Sequence, residues 1–228
     1  MLRSILIIAL LFNFISSLVS PVLGSEPDQA SRISLVVQKM EDAYKEVKDY
    51  TCVVEQFFYH GNEEDQHFRF KYYFKRQQRI RVDFLEPYSG LTVIYRGEGD
   101  KVTVMPLRFF PFLKVRVSID YPTIKTPSGQ RINQTDMGFF IEFLSKNLKQ
   151  VPQEEDEFYE SGDQIGFVFR GMDYVAARSL EKYRIHVSKQ NWLPVRLERY
   201  DLSGRLLEIS IIQGYVINSN LEDTLFEP

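Results

Sequence analysis

From Phe68 onward hydrophobic and polar positions alternate: Phe68, Phe70, Tyr72 and Phe74 share one side of an extended chain, and Arg69, Lys71, Tyr73 and Lys75 the other. After the break Arg76-Gln77-Gln78, Ile80, Val82 and Phe84 continue the apolar side while Arg79, Arg81 and Asp83 continue the polar one. The pattern predicts an antiparallel hairpin with an aromatic face and a basic face. The same period of two recurs along most of the chain. It marks strands over 51–59, 66–76, 79–85, 91–95, 101–105 and 113–121, then over 158–160, 164–170, 180–188, 193–201 and 205–216. Turn residues separate them, among them Gly61-Asn62, Glu86-Pro87-Tyr88-Ser89-Gly90, Ser161-Gly162-Asp163 and Asp201-Leu202-Ser203-Gly204.

Two segments follow the helical period instead. Ile33, Val36, Val37, Met40, Tyr44 and Val47 fall on one face of a helix running to about Lys48. In mid-chain, Thr135-Asp136 offers an N-cap for a helix on which Met137, Phe140, Ile141, Leu144 and Leu148 share a face, widened by Phe139 and Phe143. About eleven strands without internal repeat must hide their edges by closing or stacking. The expected fold class is therefore mainly β with a helical lid: an unclosed antiparallel β-barrel, its concave aromatic side covered by the amphipathic helices. Such an interior is either an ordinary solid core or the wall of a cavity.

The first residues change the expected location. Arg3, the apolar run at 5–12 and Val22-Leu23-Gly24 read as a secretory signal peptide over 1–24, leaving a single domain over 25–228. An uncleaved anchor helix is the alternative, but Asn13, Ser16, Ser17 and Pro21 interrupt it. With 28 Lys and Arg against 31 Asp and Glu, the charge of −3 argues against a nucleic-acid partner. A single cysteine, Cys52, excludes an intrachain disulfide. Burial must hold the fold together, and 18 Phe and 13 Tyr supply the material.

Enzymatic chemistry finds little support. No nucleophile elbow, phosphate loop or zinc-protease helix motif is present, so no catalytic residue and no cofactor is expected. His60 and His67 flank Glu63, Glu64 and Asp65, but without helical ligand spacing, and no metal site is assigned. Asn133-Gln134-Thr135 matches a glycosylation acceptor, a pattern common by chance.

The block FKRQQRIRVDFLEPYSGLTVIYRGEGDKVTVMP resembles a stretch of the LolA-type periplasmic lipoprotein carriers, in the outer-membrane lipoprotein-sorting superfamily. There one strand ends in Lys-Arg-Pro, the next rises to a Pro-containing turn, and two short strands meet at a Gly-centred turn. The ending NWLPVRLERYDLSGRLLEISIIQGYVINSNLEDTLFEP is similar too, in its Leu-Pro strand, Asp-x-x-Gly hairpin and closing Asn-x-x-Leu-x-Asp-x-x-Phe pattern. The resemblance implies a lipid-binding domain over 25–228, with a hydrophobic cavity for acyl chains lined by Phe68, Phe70, Tyr72, Phe74, Ile80, Val82, Phe84, Val93, Phe140, Ile141 and Leu144. It makes Arg76 the match of an arginine that latches the lid to helix backbone, near Leu144 and Ser145; a solvated turn residue is the plainer reading of Arg76. Gln77 departs from the family's proline and Ile80 from its usual aromatic residue, as does 127–138 from the usual carrier sequence. The implied function is a soluble, monomeric periplasmic carrier of acylated lipoproteins or lipids, passing cargo from an inner-membrane donor complex to an outer-membrane acceptor. A lipid-sensing regulatory domain on the same scaffold is the alternative. The outward basic row could meet anionic headgroups or an acidic partner, or simply face water.

Overall fold

The computed structural model describes residues 29–228 except 62, 107–111, 152–156, 174, 176 and 177, so the expected signal segment 1–24 lies outside the described residues. Helix α1 (Gln29–Lys45) precedes strands β1 (Asp49–His60), β2 (Glu63–Lys75), β3 (Arg79–Glu86), β4 (Thr92–Arg96), β5 (Lys101–Met105) and β6 (Val115–Ser118). Helix α2 (Met137–Gln150) follows, then β7 (Phe158–Ser161), β8 (Gln164–Met172), β9 (Leu180–Ser188), β10 (Pro194–Tyr200) and β11 (Leu206–Ile217). Periodicity located every one of these elements. β6 is shorter than expected, and α1 ends at Lys45 in a final turn where Val47 N–H reaches the Tyr44 carbonyl at 3.1 Å.

The strands form one antiparallel sheet of eleven in the order β6-β5-β4-β3-β2-β1-β11-β10-β9-β8-β7. It is an unclosed barrel with a helical lid. Two meanders meet where β1 pairs with β11, which leaves β6 and β7, consecutive in sequence, at opposite edges. The described part of the connection between them, 119–151, lies over the concave face and carries α2.

The two halves of that face are filled differently. Over β8 and β9, Ile33, Val36, Val37 and Met40 of α1 and Ile141, Phe143 and Leu144 of α2 pack against Phe167, Phe169, Tyr183, Ile185 and Val187. Phe143 meets Tyr183 edge-on at 5.3 Å. Here the helices do close over a solid core. Over β1 to β5 a second cluster, including Tyr50, Phe74, Ile80 and Tyr95, is joined by Val47 and Tyr44 at one end and by Ile119, Ile132 and Met137 from the other side.

The basic outer face is largely occupied by the chain's own end. A 3-10 helix at Asp223–Phe226 lies over β3 and β4, burying Phe226 to 1% exposure with Ile94 and Met105. Asp223 bridges Lys75 at 2.5 Å and Arg79 at 2.7 Å, Arg81 donates to the Leu225 carbonyl at 3.1 Å, and Arg96 pairs with Glu227. Arg69 pairs with Glu86 at 3.6 Å. The burial of Phe226, and not these half-exposed pairs, holds the segment down, because exposed ion pairs contribute at most about 1 kcal/mol. Phe226→Ala is expected to cost about 3 kcal/mol in urea unfolding, and Asp223→Asn far less.

Candidate functional site

Between the sheet and the crossing segment lies a cavity of about 720 Å³. Its floor is built by inward residues of β1 to β5 and of β10 and β11; its roof is Pro122, Ile124, Pro127, Ile132, Met137 and Phe140. Gln66, Tyr88, Pro122 and Thr123 line it and are solvent-exposed, which places the mouth at the β3–β4 turn and the start of the crossing segment. The opposite end is plugged by rings: Tyr50 stacks on Phe74 at 5.0 Å, and Tyr44 lies 6.2 Å from Phe74.

Of the eleven residues expected on the wall, Phe68, Phe70, Tyr72, Val82, Phe84, Val93 and Phe140 line the cavity together. Phe74 and Ile80 do not; they belong to the packed end, where Ile80 is fully buried. Ile141 and Leu144 sit in the solid core between α1, α2 and the sheet. The helical periodicity of α2 is real, but its apolar face is shared, with Phe140 and Met137 over the cavity and the next turn over β8.

Where α2 begins, the crossing segment is hung from tyrosines. Asp136 is the N-cap and accepts from Gly138 N–H at 2.8 Å and Phe139 N–H at 3.2 Å. The Tyr44 hydroxyl of α1 donates to the same carboxylate at 3.0 Å. Tyr72 lies 3.0 Å from Thr135 Oγ1, whose own proton goes to the Ile132 carbonyl, so Tyr72 is the donor. The Tyr50 hydroxyl accepts from Met137 N–H at 3.3 Å. Tyr44 lies so close to α2 that a Cβ on Gly138 would come within 2.5 Å of its ring, so any larger residue there would push the tyrosine aside. Burial raises the Asp136 pKa, outweighing the hydrogen bonds from Tyr44 and the helix N–H groups. Burial, and then the charge of Asp136, raises that of Tyr44. Of this constellation only the cap was marked by residue type. The tyrosines carried no signal beyond their place on an apolar face.

Arg76 lies at the plugged end, far along β2 from the mouth. Its Nε donates to the Val47 carbonyl at 2.6 Å and its Nη2 to the carbonyls of Tyr44 and Lys45, while the guanidinium stands 4.7 Å above the Tyr44 ring. It thus caps the C-terminal end of α1, where carbonyls lack intrahelical partners. Ser145 shares an open groove with Arg76, and Leu144 does not. The proline missing at 77 has a local reason. Gln77 and Gln78 both have positive φ, 70° and 56°, which the proline ring forbids. Gly97 abuts this turn, where a Cβ would stand 1.8 Å from the Gln77 carbonyl oxygen.

Among the described residues no group of three His, Cys, Asp or Glu side chains is placed to hold a metal ion. His67 stacks on Phe57 at 4.4 Å and lies 2.9 Å from Glu55. Burial pushes the Cys52 thiol up, away from the reactive thiolate. No helix of the described residues is long and apolar enough to cross a membrane.

No protein-family model and no curated protein matches the chain. Solved structures do. MucB aligns with a TM-score of 0.53 at 10% identity, over 86% of this chain and 62% of its own. A LolA superfamily protein from Nitrosomonas europaea covers 86% of this chain and 97% of its own at 16% identity and TM-score 0.40. An outer membrane lipoprotein-sorting domain from Vibrio parahaemolyticus covers 87% and 97% at 14% identity and TM-score 0.45. The fold is one that MucB shares. At such identities the likeness is one of architecture, and the scaffold here carries its own cavity, roof and plug.

Substitutions at two positions test how the roof and the plug are held. Because the Asp136 pKa is raised, the native state holds the proton more tightly than the unfolded chain, and stability falls as pH rises from the ordinary carboxylate range through the native value. Asp136→Asn keeps the cap without the charge, so its stability relative to wild type should improve as pH rises above the ordinary carboxylate range in urea titrations, whereas Asp136→Ala loses about 1 kcal/mol throughout. Arg76→Leu should lower stability by about 1–3 kcal/mol through the uncapped end of α1.

Proposed function

We propose that this chain is an exported periplasmic carrier that takes acyl chains of lipoproteins or other lipids into the cavity and delivers them toward the outer membrane. The observation that carries the reading is the hollow itself: the inward residues of β2, β3 and β4 and the crossing segment leave about 720 Å³ between them, within the roughly 300–1,000 Å³ of ligand sites. A solid core would not leave such a space, since protein interiors pack as densely as organic crystals.

The energetics favour a container over a tight binder. Each buried methylene contributes about 0.8 kcal/mol, so a chain of about 15 loses about 12 kcal/mol on exposure to water. A carrier must replace nearly all of that without exceeding it, or release stops. The roof supplies the adjustable part. Its contacts at Asp136, Thr135 and Met137 are a few hydrogen bonds to tyrosines, each a net contribution of about 1 kcal/mol. Breaking them costs little beside the cargo and suffices to open or close the space. Arg76, holding α1 against the β2–β3 turn, keeps the plug in place while the roof moves.

Native mass spectrometry of gently purified protein should show co-purified lipid, and vesicle-transfer assays should show that it moves to acceptor membranes. Val82 points into the cavity from β3. Val82→Trp should leave circular dichroism and cooperative unfolding intact while weakening lipid binding about ten-fold or more. Undiminished binding by that variant would remove the cavity from the function.

A further inference from the structure

The cavity wall is not apolar throughout. On β1 and β11 three inward positions are polar: Gln56, Ser210 and Glu208. They are joined in a line. Gln56 Nε2 donates to Ser210 Oγ at 3.1 Å, and Ser210 Oγ donates to Glu208 Oε1 at 3.3 Å. Glu208, 1% exposed, has its other oxygen 3.4 Å from Arg199 Nη2. Behind it Arg199 also meets Glu181 at 3.4 Å and Asp173 at 3.7 Å. One guanidinium thus serves three carboxylates at the edge of the cavity.

Such a line is costly to bury unless it has a use, because polar groups left beside hydrocarbon lose the hydrogen bonds that water would give. Its chemistry is that of an acceptor. Ser210 Oγ has a lone pair beyond the one Gln56 occupies, and the Gln56 carbonyl oxygen is an acceptor. A free fatty-acid carboxylate placed on this line would find the second N–H of Gln56 as a donor but would lie beside the Glu208 carboxylate and the two acceptors, and would be disfavoured. An uncharged N–H or O–H group would be welcomed.

Resting on the cavity reading, we propose that Gln56, Ser210 and Glu208 form a subsite for a neutral hydrogen-bond donor, so that the cargo is an acyl chain ending in or bearing an amide N–H or a hydroxyl, and not a free fatty acid. The test uses the full chain loaded with the neutral fluorescent probe N-phenyl-1-naphthylamine, displaced at about pH 8, where a fatty acid is ionised. Hexadecanamide and hexadecanol should each displace it at about ten-fold lower concentration than methyl hexadecanoate, which has no donor, and than hexadecanoate. Amide and alcohol tested separately tell the two donor sources apart. In Gln56→Leu and in Ser210→Ala the advantage of the donor compounds over the ester should disappear, with ester binding undiminished; Gln56 is only partly buried, so its variant keeps the fold. Equal displacement by amide, alcohol and ester in the wild type, or a preference unchanged in both variants, would overturn the subsite while leaving the cavity. No probe binding at all would overturn the cavity reading and the subsite with it.

Discussion

The path from β6 to β7 governs everything above the sheet. Because these strands close opposite edges of one open sheet, the chain between them has to span the concave face, and a spanning segment can be covered by helix only in part. Where it is helical, it presents a continuous apolar stripe that sinks into β8 and β9. Where it is not, between 122 and 136, it must satisfy its own backbone polar groups. It does so internally: Thr126 N–H bonds the Gln130 carbonyl, Gln130 N–H the Thr126 hydroxyl, and Arg131 and Gln134 cap a short 3-10 turn. A segment folded on itself in this way stands as a roof and does not fill the space beneath it.

The height of that roof is set by tyrosines. Tyr44, Tyr50 and Tyr72 are long side chains whose rings pack in the plug or wall while their hydroxyls reach up to Asp136, Met137 and Thr135. A phenylalanine could fill the same volume but not hold the roof at that distance. The same residues connect three elements, α1, β1 and β2, to the first turn of α2, so the roof is anchored at its α2 end, away from the exposed mouth at Tyr88 and Pro122. The electrostatics agree with a structural part for these groups: burial disfavours charge on Asp136 and on the tyrosines alike.

The outer face obeys a different constraint. A row of arginines and lysines on β2 and β3 would repel itself if bare. The closing 3-10 helix brings acidic side chains and carbonyls to it, together with one large ring, Phe226, that fixes their position. The basic hairpin that dominates the sequence is thus mostly an internal docking surface for the same chain.

Alternation along β2 and β3 and the Asp136 cap were legible because they depend on local geometry: the pleat puts every second side chain on one face, and an N-cap needs only a short acceptor before an apolar run. The order of elements and the mainly β architecture follow from the same local rules. What period two does not say is which face turns inward. On β11, Ile209 and Ile211 make the greasier row, yet the sheet buries Glu208 and Ser210 instead, because Glu208 stands opposite Arg199 and Ser210 beside Gln56. Nor could spacing alone separate Phe70 from Phe74, or Phe140 from Leu144, since both members of each pair are apolar and inward. Whether such a ring faces a hollow or solid packing is decided by what the far end of the chain lays over it. The residues of each strand and helix are a property of the sequence; the empty space between them exists only once the crossing segment is suspended in three dimensions.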